Sequence, residues 1–181
     1  MAAKARGQET VGDAVRSLVV LGGLVAVVVG VYTIAAPEEQ LPPPVDYDHQ
    51  WQVAGQQYDY PVLAPDPLPS GWRATSVEAE SEAIGDRWRL GLLTDAEEYI
   101  GLEQNGGEVQ GFLFDRLDDF EADGESRVDG KTWQRWYETD DDPHRALVLE
   151  GDGVATVVTG SVGYDELEEF VGLLSEAPES G

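Results

Sequence analysis

Cysteine is absent from the 181 residues. That excludes a disulfide framework, a thiolate metal cluster, a catalytic thiol and a lipidated cysteine. Positive charge is scarce: 11 Lys and Arg stand against 36 Asp and Glu, a formal charge of −25. Proteins that bind nucleic acid draw most of their affinity from neutralising phosphates with Lys and Arg, so a carboxylate surplus on this scale excludes nucleic acid as a partner. It also removes direct attraction to anionic lipid. Neither a Walker-type phosphate loop nor a glycine-rich dinucleotide fingerprint occurs. The length allows about one domain.

What the chain does have is one long uncharged run. Residues 18–36, LVVLGGLVAVVVGVYTIAA, span nineteen positions without a charge. As a helix they reach about 28 Å, close to the hydrocarbon thickness of a bilayer. A cleaved signal peptide has a shorter apolar region and a small-residue exit. Here Pro37 follows Ala35 and Ala36, and Ile34 occupies the −3 position of a cut after Ala36. The run therefore reads as an uncleaved signal anchor whose partner is the lipid bilayer. Lys4, Arg6 and Arg16 precede it, and Glu38 and Glu39 follow it. By the positive-inside rule, residues 1–17 form a short cytoplasmic tail and the remainder lies outside the plasma membrane. Of the charged residues, 34 acids and 8 bases lie beyond Ala36, so the exported part carries −26. Within the run, Gly22, Ala26 and Gly30 recur every four residues, a small-residue ridge that permits close helix packing against a membrane or envelope protein partner.

Residues 37–57 show no helical or alternating period. Pro42, Pro43 and Pro44 favour polyproline II, so the stretch is expected to be an extracytoplasmic linker. His49 lies in it with no second His, Cys or fixed carboxylate nearby, and Trp51 is expected to fold back onto the domain or lie near the headgroups. The folded domain is expected over 58–176, with a disordered tail at 177–181. Alternation predicts strands over 72–81, 86–94, 98–104, 131–138, 145–149 and 154–159. Glu150-Gly151-Asp152-Gly153 suits a hairpin between the last two. Val109, Phe112, Leu113, Leu117 and Phe120 recur at helical spacing, as do Tyr164, Leu167, Phe170, Val171 and Leu174. The expected fold is α+β: an antiparallel sheet of about six strands with two amphipathic helices on one face, preceded by one N-terminal transmembrane helix. Trp133 and Trp136 differ by an odd number of positions and cannot share a strand face. A bulge, a covered second face or an exposed aromatic is therefore required.

Several stretches carry a resemblance: Pro61-Val62-Leu63-Ala64-Pro65, Leu68-Pro69-Ser70-Gly71-Trp72, Tyr99-Ile100-Gly101-Leu102-Glu103-Gln104, Gly130-Lys131-Thr132-Trp133-Gln134-Arg135 and Thr156-Val157-Val158-Thr159-Gly160. In that order they resemble an uncharacterised family of single-span envelope proteins of high-GC Gram-positive bacteria. The resemblance implies an N-terminal anchor and an exported domain of unknown function. It carries no catalytic residues with it.

Chemistry must then come from the residues themselves. Ser161, between a strand and a helix, has the context of a nucleophile elbow, but Thr159 replaces the first glycine and both histidines precede it. A turn that starts the helix is the expected role. Asp119, Glu121, Asp123 and Gly124 have the 1, 3, 5, 6 spacing of a calcium loop, yet Gly130 stands where the bidentate Glu belongs. They are weak metal candidates beside a solvated acidic turn. Asp140-Asp141-Asp142-Pro143-His144 reads as a charged hairpin tip. Paired carboxylates for glycoside hydrolysis need a separation that abundance does not supply. No catalytic constellation or cofactor follows. The expected function is a membrane-tethered extracytoplasmic binding or accessory module of the cell envelope. The alternatives are a structural subunit or spacer in a membrane complex, and a calcium-dependent or hydrolytic enzyme.

Overall fold

The computed structural model describes residues 42–82, 85–139, 144–151 and 153–178. Strands β2 (Arg73–Glu82), β3 (Gly85–Leu93), β4 (Tyr99–Gly106), β5 (Phe120–Val128), β6 (Lys131–Glu138), β7 (Arg145–Gly151) and β8 (Val154–Gly160) form one antiparallel sheet. Its order is β2-β3-β4-β8-β7-β6-β5. Two short strands, β1 (Leu63–Pro65) and β9 (Leu174–Glu176), pair apart from it. The helices are α1 (Asp48–Gln57), α2 (Val109–Arg116) and α3 (Tyr164–Gly172). None of them is long and apolar enough to cross a membrane. The run at 18–36 lies outside the described residues.

The register assigns the apolar residues to two faces. Trp88, Leu90, Leu92, Ile100, Leu102, Leu147 and Val158 share one core with Trp51 of α1 and Leu167 and Phe170 of α3. The neighbouring positions Ala146, Val148, Ala155 and Val157 point the other way, to Leu113 of α2 and to Leu117. The two amphipathic helices expected on one face thus lie on opposite faces. The cause is legible in β7 and β8: Ala146, Leu147 and Val148 are buried in succession, as are Ala155, Thr156, Val157 and Val158. Such strands need cover on both sides. This also resolves the two tryptophans. Trp133 belongs to the α3 core and Trp136 packs against the α2 cluster.

The sheet has seven strands where six were expected. The added strand, β5, is polar and mostly exposed, so it lacks an apolar alternation. Its hairpin with β6 turns at Asp129 and Gly130, both at positive φ (50° and 78°), the geometry for which an Asp-Gly pair is suited. The second departure is α1. Residues 48–57 are a helix where a linker was expected, and its Trp51 and Ala54 are buried. Two buried residues one turn apart are a faint stripe, and tertiary bonds do the rest. Tyr47 Oη donates to Pro65 O at 2.6 Å, and Trp51 Nε1 donates to Val62 O at 2.9 Å. At the other end the expected tail is partly structured, since Ala177 N donates to Val62 O at 2.9 Å.

Residues 61–65 cross the α3 face, and side chains of the sheet satisfy their backbone. Gln104 is fully buried. Its Oε1 accepts from Leu63 N at 2.7 Å, while its Nε2 donates to Pro61 O at 3.1 Å and Thr156 Oγ1 at 3.2 Å. Trp88 Nε1 donates to Leu63 O at 2.9 Å. A buried amide with every group occupied fixes this crossing in a way that apolar packing alone does not.

Candidate functional site

On the α3 face, at the β5 end of the sheet, four side chains alternate cation and ring. β6 directs Arg135 and Tyr137 to the same face, β7 sets Arg145 opposite Tyr137, and α3 begins with Tyr164. The Arg135 guanidinium lies 4.6 Å from the Tyr164 ring centre, and Arg145 lies 5.7 Å from Tyr164 and 5.8 Å from Tyr137. Cation–π contacts of this kind contribute about 0.5–1 kcal/mol each at exposed sites. Arg135 is also bonded to Ser126 and Glu168. Arg145 donates to Val162 O at 3.3 Å and has no carboxylate partner among the described residues.

Beside this stack opens a cleft of about 510 Å³ lined by Glu121, Ala122, Asp123, Tyr137, Arg145 and Tyr164. Burial, and then hydrogen bonding with Asp123, push the Tyr164 phenol far above its ordinary range. It therefore stays protonated and donates to Trp136 O at 3.0 Å. The Glu168 carboxyl is held below the usual range, first by the Ser126 hydroxyl and then by Arg135. A guanidinium, two phenols and two exposed carboxylates make a surface that recognises charge and hydrogen-bonding groups.

The residues singled out from the sequence fall in different places. Glu121 and Asp123 reach this cleft, but from strand β5 and not from a loop. A bulge between Ala122 and Glu125 carries Asp123 and Gly124, and Asp119 stays in the turn before the strand. A calcium loop curls its backbone around the ion, whereas β5 runs extended past this point, so the calcium-loop frame is not realised. Among the described residues no group of three or more acids and histidines is placed to hold a metal ion. Ser161 Oγ accepts from Tyr99 N at 3.2 Å, and Ser161 N donates to Tyr99 O at 3.2 Å. That bonding makes it the turn leading into α3. His144 Nδ1 lies 3.1 Å from Glu138 Oε2. His49 is exposed on α1. Asp140, Asp141, Asp142 and Pro143 lie outside the described residues, as do Gly22, Ala26 and Gly30. Sequence reasoning missed Arg145, Tyr137 and Tyr164 as a group. Only the parity of Arg135 and Tyr137 hinted that they share a face.

A family model described as a protein of unknown function, DUF4245, matches residues 6–174. The chain belongs to the DUF4245 family. The resemblance read from the five sequence stretches agrees with this in pointing to an uncharacterised family. Within this DUF4245 chain two of those stretches meet, because Gln104 at the end of one grips the backbone of 61–63 in another. No curated protein and no solved structure matches the chain.

Proposed function

We propose that this DUF4245 protein is a membrane-tethered, extracytoplasmic binding or accessory module of the envelope of high-GC Gram-positive bacteria. Residues 18–36 are the anchor, the N-terminus is inside, and the folded unit lies outside. The observation that carries the reading is the nineteen-residue uncharged run, with three basic residues before it and a part carrying −26 after it. The Arg145 cleft supports binding, because its guanidinium, phenols and carboxylates offer charge and hydrogen bonds to a ligand. The ridge of Gly22, Ala26 and Gly30 supports a second reading, a structural subunit that packs its anchor against another span.

Sidedness tests the first reading. Membranes washed with alkaline carbonate should retain the chain, and protease added to intact protoplasts should digest the folded unit. Release by carbonate, or full protection of a C-terminal tag in intact protoplasts, would refute it. Changing Gly22 and Ala26 to Leu tests the second. A partner recovered unchanged from gently solubilised membranes would discard the ridge.

A further inference from the structure

The second face of the sheet ends in a groove that the fold leaves open. Gln110, Leu113, Phe114 and Leu117 lie three or four residues apart and so share one side of α2 and its C-terminal extension. β6 and β7 supply Trp136 and Val148 as the floor, and the space between is about 560 Å³. Leu113, Leu117 and Val148 are buried, but Phe114 at the mouth is 72% exposed. A side chain this exposed contributes little to the core, and with Leu113, Leu117, Trp136 and Val148 it makes the groove lining apolar. The Trp136 indole N–H is shut off from water without an acceptor. Polar groups left in that state are costly, and the residue that carries this one lines the groove.

The charge at the groove has one sign. Asp118 and Glu150 line it, and no Lys or Arg does. The nearest base on the helix, Arg116, turns to the other side and meets Glu103 at 2.8 Å. We infer that the groove between α2 and strands β6 and β7 docks a basic segment of another protein, which inserts an apolar side chain beside Phe114 and lays Lys or Arg against Asp118 and Glu150. Charge complementarity selects this occupant. A second copy would set acid against acid, and an anionic lipid surface would be repelled for the same reason. An apolar anchor inside a charged rim is the usual anatomy of a contact that binds with specificity. The inference is independent of whether residues 18–36 span a membrane.

The test uses the isotope-labelled full chain in neutral detergent, with amide resonances followed by NMR. The probe is the capped peptide Lys-Lys-Trp-Leu-Lys-Lys, and the control replaces each Lys by Glu. The basic probe should give saturable shifts concentrated on 109–118, 134–136 and 146–150. Phe114→Ser should weaken it at least about tenfold. Because Phe114 is exposed, that variant should keep the wild-type spectrum elsewhere. The combined Asp118→Asn and Glu150→Gln changes should weaken it as well, and the Glu peptide should give no shifts. Shifts spread over the acidic strands and unchanged by Phe114→Ser would reduce the effect to diffuse counter-charge and overturn the proposal. Self-association abolished by Phe114→Ser would also overturn it, in favour of a second copy.

Discussion

The two faces of the sheet are finished in different ways. The face under α1 and α3 is packed shut over its centre and opens at the β5 end into the Arg145 cleft. Trp88, Leu90, Leu92, Ile100 and Leu102 meet Phe170 and Leu167, Trp72 stacks on Phe170 at 6.0 Å, and Gln104 ties down the chain that crosses it. The other face is closed only over its middle by α2. Toward β2 it carries a run of charges in which Glu78, Arg89, Glu103 and Arg116 meet at 3.2, 3.5 and 2.8 Å. Toward β6 it carries the groove with Phe114. Exposed ion pairs contribute little to stability, typically under about 1 kcal/mol each. The larger of the two cores thus lies on the α1 and α3 face, while the α2 face pairs a smaller core with an open groove.

Substitutions can break this contrast, and the largest effect belongs to Trp88, which is fully buried. Trp88→Ala should cost about 4–5 kcal/mol by leaving a cavity and orphaning Leu63 O. Denaturant unfolding measures it, and a loss below about 2 kcal/mol would mean the α1 and α3 face is not the main source of stability. Gln104→Leu keeps the volume but strands Leu63 N–H and Pro61 C=O, so a loss on the order of 3 kcal/mol is expected by the same method. Gly106→Ala comes next. A Cβ there would sit 2.6 Å from the ring of Tyr60, which is itself buried, so overpacking of about 2 kcal/mol should follow.

The smallest of these effects is pH-dependent. Ser126 and Arg135 favour the ionised form of Glu168, so its folded pKa lies below the unfolded one. The stabilisation is present above the unfolded value and is lost as pH falls through the folded one. Glu168→Gln should therefore be less stable than wild type at neutral pH by under about 1 kcal/mol, with the two converging in acid. Unfolding curves that stay parallel down to low pH would contradict this assignment.

Much of the fold could be read directly where local period and burial agree. The strands at 131–138, 145–149 and 154–159 alternate or run apolar, and the helix from Tyr164 carries a full buried stripe. Strand β5 was hidden because an exposed edge strand buries almost nothing that could set a period, although Asp129-Gly130 marked its turn. Helix α1 was hidden because its anchoring partners, Val62 O and Pro65 O, are eleven and eighteen residues away from the donors. The placement of α2 and α3 on opposite faces was implicit in the unbroken burial of Ala146, Leu147 and Val148, but only once both faces are known to need cover. For the Arg145 cleft, the acids Glu121 and Asp123 were noticed for a metal frame, while the stack beside them depends on strand pairing that no short motif records.

The contrast between the faces is tested most directly by two phenylalanines. Phe170 is fully buried on the α1 and α3 face and Phe114 is 72% exposed on the other. Thermal unfolding of Phe170→Ala and Phe114→Ala should separate them. A loss of about 3–5 kcal/mol at Phe170 lowers the midpoint by roughly 10 °C or more, whereas Phe114→Ala should leave it within about 2 °C of wild type. Equal losses at the two positions would contradict the account.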